Sequence, residues 1–312
     1  MSGDAVGPPS SPLQRALRVA QRIDVWVLDS EKEIQHVKEL EALLSNDERA
    51  RGQALLRPYD RERHIVAHAL LRQVLSLYTG SQPDELSFEL GVRGKPMLRS
   101  RGISPIHFSL ASSGDVTLIA VAACPLGVDI ERILPLEDLL PIARLLFAAS
   151  EVGYIAGLDG ADQLPAFYRC WTRKEALVKA TGEGLSAPLN TFDVRLDSDE
   201  MVDIQAGNAS ETWTLYHLDP APGYVGALAV LRGPHRLATT MLSYEDLLAS
   251  LADPRRAAGA LPCNEYGHGL CTTTGAWHTS LLSGTHHPVP VRTLAQSGKL
   301  TQPSGTVTQG SG

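Results

Sequence analysis

The sequence predicts an α/β (α+β) protein built as two similar lobes in one chain. The 312 residues, 43% of them hydrophobic, suffice for one large or two ordinary domains with a proper core. Each half shows amphipathic helices followed by strands, an order that points to a pseudo-symmetric pair although the residues themselves show no repeat. After about residue 253 the composition turns to Gly, Ser, Thr and His with few apolar clusters, which marks the end of the folded part. The expected division is therefore a flexible N-terminus over 1–22, an N-terminal lobe over 23–125, a C-terminal lobe over 126–252 and a disordered tail over 253–312.

In the first half, Val25 to Leu28 reads as a short strand. Glu31 to Leu44 carries apolar residues at helical spacing, with Ser30 and Glu33 in a capping-box pattern. Ser45 or Asn46 can cap a helix through Leu56. Asp60 can cap a long one through Tyr78, whose Ile65, Ala69, Leu70, Val74 and Leu77 form the buried stripe. Gly80 stops it. Leu86 to Leu90 is a strand, Gly91 and Gly94-Lys95-Pro96 make a turn, and Ile106 to Leu110 and Val116 to Ala123 are further strands. The last is apolar on nearly every residue and belongs in the middle of a sheet.

The second half opens on Leu126-Gly127-Val128-Asp129-Ile130-Glu131-Arg132. Period-two alternation sends Val128 and Ile130 to one face and puts Asp129 and Glu131 together on the other, about 7 Å apart along the strand. Gly127 leaves room for something to approach. A helix from Leu139 to Phe147 tolerates Pro141 in its first turn, a second starts near Ser150, and a long one runs through Lys179. Strands follow near Phe192 to Arg195, Thr212 to His217, Tyr224 to Leu231 and Thr240 to Leu242.

The long helix holds the sharpest anomaly. Leu164, Tyr168, Trp171 and Val178 gather into one apolar stripe, and Glu175 falls inside it. An unpaired carboxylate there would cost several kcal/mol, on the order of other desolvated charges, so Glu175 needs a cation, a metal ion or a raised pKa. Lys179, one turn on, lies at the edge of the same face; the plain alternative is a helical i,i+4 pair worth about 0.2–0.5 kcal/mol.

A net charge of -7 and a pI near 5.8 argue against a general nucleic-acid binder. Positive charge is local: Arg49, Arg51, Arg57, Arg61, Arg63 and Arg72 stand against Asp60 and Glu62, either an anion-binding island or a solvated helix face. His64 and His68 are spaced i,i+4 but lack the HExxH glutamate of a zinc helix. Four cysteines without CxxC spacing fit reduced thiols, and Cys263, His268, Cys271 and His278 match no zinc pattern. The start of the chain has no apolar core of signal-peptide length, and Leu118 to Cys124 is too short to span a bilayer, so a soluble cytoplasmic protein with no membrane partner is expected. Asp129, Glu131 and Glu175 are the oxygen donors that magnesium prefers, and Lys179 with the arginines suits a polyanion. The residues alone support Mg-assisted chemistry on a phosphate ester or anhydride, without a GxxxxGK loop for a nucleotide triphosphate.

GVDIER at 127–132 together with WTRKEALVKATGEGLSAPL at 171–189 resembles the signature pair of the 4'-phosphopantetheinyl transferase superfamily, in its large surfactin-synthetase-activating form. Agreement extends through SNDERAR at 45–51, DRERHIVAHALLR at 60–72, GKP at 94–96, LFAASEVGY at 146–154 and MLSYEDLL at 241–248. The resemblance implies a pseudo-twofold fold with coenzyme A between the lobes. It also implies transfer of phosphopantetheine to a serine of an acyl or peptidyl carrier protein by a monomer. Carried over by position, Asp129, Glu131 and Glu175 match magnesium ligands, and Lys179 matches a lysine at the pyrophosphate. Arg51 and Lys95, with Arg49 and His64, match positions around the coenzyme A phosphates. Glu151 matches an acidic position near the attacking serine and is one candidate base, with Glu175, direct or through water, as the other. Two departures stand out. The family's Ser-His-Ser reads Ala111-Ser112-Ser113 here, so Ser112 replaces a phosphate-binding histidine, and Glu48 stands where some relatives have a lysine. A catalytically weak carrier-binding relative is the alternative that the missing histidine raises.

Overall fold

The computed structural model describes residues 22–91, 94–99, 106–183, 188–198, 202–205, 211–234, 236–242 and 244–252. The expectations for the first 21 residues and for the tail, including its Cys and His residues, lie outside the described residues.

Both halves use one topology: an opening strand, a long helix, then an antiparallel hairpin whose second strand returns beside the first. In the first half β1 (Arg22–Asp29) leads through α1 (Val37–Glu41) and α2 (Asn46–Gln53) to α3 (Pro58–Thr79). A two-stranded ribbon of β2 (Phe88–Leu90) and β3 (Pro96–Leu98) precedes the hairpin of β4 (His107–Ser113) and β5 (Val116–Ala122), and β5 pairs with both β4 and β1. In the second half β6 (Leu126–Arg132) leads through α4 (Leu139–Leu146) and α5 (Ala149–Ala156) to α6 (Gly160–Thr181). There β7 (Val202–Gln205) pairs with β8 (Thr212–Leu218), and β9 (Tyr224–Leu231) pairs with β8 and β6. Both long helices have 22 residues and end on a left-handed glycine, Gly80 at φ 73° and Gly182 at φ 71°.

Four layers result. α3 buries Ile65, Leu70, Val74 and Tyr78 against Trp26, Phe108 and Ile119 on one face of the first sheet. The other face presents Ile23, Val25, Leu118 and Ala120 to Val128, Ile130, Leu228 and Val230 of the second sheet. α6 covers the far side with Phe167, Cys170, Trp171 and Leu177 against Trp213, Leu215 and Ala227. Each fully buried Leu, Ile, Val or Phe stabilises by about 1.5–3 kcal/mol, so these three cores hold the layers together. At the seam, the edge strands β4 and β6 are joined by side chains: Ser109 Oγ accepts from the Val128 amide and Ser113 Oγ from the Arg132 amide, each at 3.0 Å.

Several expectations change. β10 (Arg236–Leu242) pairs in parallel with β1, and α7 (Tyr244–Ala252) buries Leu247 in the first core. Residues 236–252 therefore complete the first sheet rather than the C-terminal lobe, because the free edge of β1 lies there. Phe192 to Arg195 is not a strand. Its carbonyls are taken by Lys174 and Arg173 of α6, and the Val194 amide by Glu151, so side chains replace a strand partner. The helix expected from Glu31 is a 3-10 turn followed by the short α1, and Ser30 bonds the Asp115 carbonyl instead of capping it. α3 begins at Pro58, not Asp60, whereas Ser45 caps α2 as one of the two expected candidates, in a capping box with Glu48. No helix of the described residues is long and apolar enough to cross a membrane.

Candidate active site

The site forms where α6 crosses β6. A Cβ placed on Gly127 would lie 2.2 Å from the Ala176 carbonyl oxygen and 2.4 Å from the Ala180 nitrogen. The visitor that Gly127 admits is thus the backbone of α6 itself. That approach sets Glu175 and Lys179 against the face of β6 that carries Asp129 and Glu131. Lys179 Nζ donates to Asp129 Oδ1 at 2.6 Å and to the Val128 carbonyl at 3.2 Å. Ser113 Oγ donates to Glu131 Oε2 at 2.9 Å. Asp129 Oδ2 is buried with no partner in hydrogen-bonding geometry.

The electrostatics are those of too much negative charge under cover. Burial raises the pKa of Asp129, opposed by the Lys179 ammonium. Burial and then the neighbouring Asp129 push Glu131 up to about 8. Glu175 is pushed up to about 7 by burial and then by Asp129, with Lys179 opposing. Three carboxylates thus resist ionisation, and the cation bonded among them is Lys179. Among the described residues no three His, Cys, Asp or Glu side chains converge at metal-ligand spacing. The donor chemistry nevertheless fits a hard divalent cation: all donors are oxygens, one buried oxygen is unpartnered, and added positive charge would relieve all three.

The first half offers a contrast. Asp24 on β1 also sits beneath its long helix, but its carboxylate is closed by Arg22 and by the Tyr78 hydroxyl at 2.8 Å, which in turn accepts from the Trp26 indole. That carboxylate is satisfied by the protein alone.

The remaining expected residues divide. Lys95 is brought to the site: its amine donates to the Leu126 carbonyl at 2.8 Å and the Ala180 carbonyl at 3.3 Å, and burial pushes it down to about 8. It ties the first-half turn to the start of β6 and the end of α6. Arg49 bonds the Glu41 carbonyl and Asn46, holding α2 to α1, while Arg51 is exposed. His64 donates through Nε2–H to the Glu48 carbonyl at 3.0 Å, and its ring packs on Gly52 and on His68 with centroids 3.9 Å apart. Glu48 is buried against Arg72 at 2.7 Å, so this residue, at the position where a lysine stands in some sequences of the resembled family, is internal structure here. Ser112 Oγ lies 3.0 Å from Thr117 Oγ1 across the hairpin.

Glu151 requires a correction. It is buried, with its oxygens bonded to the Ala148 and Val194 amides at 2.8 Å and to Lys174 Nζ at 2.8 Å. A carboxylate so engaged anchors α5 to α6 and the following loop; it is not a free base. Sequence inspection also missed the role of Ser113, which only the meeting of the β4 and β6 edges brings to Glu131, and that of Asp115, whose carboxylate pairs with Arg63 and Arg132.

The model of the 4'-phosphopantetheinyl transferase superfamily matches residues 125–229, the span from β6 into β9. The chain is 32% identical over 214 residues to the 4'-phosphopantetheinyl transferase HetI of Nostoc sp., covering 68% of this chain and 89% of that protein. It is 29% identical over 207 residues to the 4'-phosphopantetheinyl transferase Sfp of Bacillus subtilis, covering 66% and 91%. It is also 29% identical over 231 residues to the 4'-phosphopantetheinyl transferase psf-1 of Bacillus pumilus, covering 73% and 97%.

Proposed function

This chain belongs to the 4'-phosphopantetheinyl transferase superfamily and transfers phosphopantetheine to carrier proteins, and from that premise we propose that the crossing of β6 and α6 is its active centre. The donor is coenzyme A, the acceptor a serine of an apo acyl or peptidyl carrier, and the by-product adenosine 3',5'-bisphosphate. The observation that carries the assignment is the juxtaposition of Asp129, Glu131, Glu175 and Lys179 under one cover, with Lys179 bonded to Asp129 at 2.6 Å. Asp129, Glu131 and Glu175 would hold magnesium, which when bound supplies charge neutralisation for the pyrophosphate and its leaving group.

The chain's own groups supply the rest. Lys179 places an ammonium where the pyrophosphate is to lie, and donates a proton to the oxygen released as the P–O anhydride bond breaks. The serine Oγ forms the new P–O bond, and its proton passes to Glu175, directly or through water. Lys95, between the start of β6 and the end of α6, and the exposed Arg51 offer cations to the coenzyme A phosphates. The exposed Arg57 offers one to an acidic carrier surface. A cytoplasmic monomer completes the reading, since one chain supplies both lobes.

The test is the intact mass of an apo carrier after incubation with the protein, coenzyme A and magnesium, with Glu175→Gln alongside. The expected result is a gain of one phosphopantetheine that disappears in Glu175→Gln and with chelator. No gain with any carrier type at saturating coenzyme A refutes the activity, and a gain that survives both treatments refutes the site.

A further inference from the structure

Two hydroxyls stitch the seam between the sheets, and they are not equivalent. Ser109 and Ser113 lie four residues apart on β4 and accept from Val128 and Arg132, four apart on β6. Both supply a partner to a strand edge that lacks one. Ser113 also donates its proton to Glu131 Oε2 at 2.9 Å. A hydroxyl has one proton and two lone pairs, so one serine can hold the β6 backbone and the neighbouring carboxylate together. The Trp171 indole reaches the same carboxylate from α6.

The turn that carries Ser113 is itself anchored from both halves. Asp115 accepts at its carbonyl from the Ser30 amide at 2.8 Å and the Ser30 hydroxyl at 3.0 Å. Its carboxylate pairs with Arg63 of α3 and, at 3.8 Å, with Arg132 of β6. Its amide donates to the Tyr224 hydroxyl of β9 at 3.1 Å. Gly114, at φ 54°, lets the turn close: a Cβ there would lie 2.5 Å from that hydroxyl.

We propose that Ser113 is a positioning residue for the transfer reaction, holding the Glu131 carboxylate in the orientation that receives the divalent cation, with the Asp115-anchored turn fixing Ser113 against both lobes. The proposal rests on the reading of Asp129, Glu131 and Glu175 as metal ligands. Partners that orient a ligating carboxylate typically tune metal affinity by about 10–100-fold. Ser109 makes the same kind of backbone bond without touching a carboxylate, and so separates positioning from seam stability.

The experiment titrates the full-length protein with Mn2+ alone, reading free Mn2+ by its electron paramagnetic resonance signal, for wild type, Ser113→Ala, Ser113→Thr, Ser113→Cys and Ser109→Ala. Ser113→Ala is expected to bind Mn2+ about 10-fold more weakly. Ser113→Thr, which keeps the hydroxyl, should restore binding, and Ser109→Ala should stay within about twofold of wild type while losing comparable thermal stability. In carrier loading, Ser113→Ala should raise the half-saturating magnesium concentration more than it lowers kcat. Should Ser113→Ala not fold, Ser113→Cys, close in size and a weak donor, is expected to show the same weakening. Wild-type Mn2+ affinity in the Ala or Cys variant, or equal losses in Ser109→Ala and Ser113→Ala, overturns the proposal alone. Wild-type protein that binds no Mn2+ overturns it together with the metal-ligand reading.

Discussion

Gly127→Ala tests the geometry on which the site depends. The added methyl would stand 2.2 Å from the Ala176 oxygen, 2.4 Å from the Ala180 nitrogen and 2.9 Å from the Lys179 carbonyl carbon. All three are backbone atoms of α6, so no rotamer change can clear them. Real Cβ atoms essentially never come within 3.0 Å, so the helix must retreat by at least about 0.8 Å from a 2.2 Å approach. Overpacking of this kind costs about 1–3 kcal/mol, and three rigid contacts place it near the top of that range. At about 2–4 °C per kcal/mol for a protein of this size, Tm should fall by roughly 6–12 °C. The same retreat would stretch the 2.6 Å bond from Lys179 to Asp129 beyond the length of a charge-assisted bond. Misplacement of about 1 Å can cost on the order of 10²-fold in rate, so kcat/KM for carrier loading should fall by about that factor. The assay pairs thermal unfolding by circular dichroism with loading kinetics well below Tm. Gly153→Ala is the control, because a Cβ at that helical position meets nothing within 4 Å and the exchange should stabilise by about 0.5–1 kcal/mol. A Gly127→Ala protein with wild-type Tm and wild-type kcat/KM would show that α6 does not lie on Gly127.

Two further predictions concern residues that the sequence places at the coenzyme and base positions or beside them. Glu151→Gln leaves the Lys174 charge buried without its carboxylate, so it should destabilise by about 3–5 kcal/mol in urea unfolding while the folded fraction keeps kcat within a few-fold. An unchanged urea midpoint with kcat down a hundredfold would restore Glu151 as the base. His68 is pushed down to about 4, chiefly by burial and then by His64. Because the unfolded chain binds the proton first, stability is retained above about pH 6.5 and lost progressively as pH falls toward about 4, on the order of 2 kcal/mol by about pH 5. His68→Asn should flatten that acid limb in denaturant midpoints measured across the same window; a limb of unchanged steepness would assign the loss to other groups.

Much of this protein is written in local pattern. The 3.6-residue period of α3 and α6, the glycines that end both helices, and the alternation that parts Asp129 and Glu131 from Val128 and Ile130 each depend on neighbours a few residues away. Glu175 is legible for the same reason, as a charge in an apolar stripe that calls for a cation, a metal ion or a raised pKa. What the pattern could not disclose is which distant group meets which. Glu151 and Glu175 are both acids on helices of the second half, yet one is closed by Lys174 and two amides while the other faces Asp129 and Lys179. Phe192 to Arg195 has a strand's composition but pairs with no strand among the described residues, and β10 finds its edge on β1, at the far end of the chain. Gly127 promised space without saying for what, and Ser113 is one serine among many until β4 and β6 lie edge to edge. Side-chain period is a property of the chain, whereas the partner of a buried polar group is chosen by the whole packing, because only there does an unsatisfied donor or carboxylate cost enough to decide the outcome.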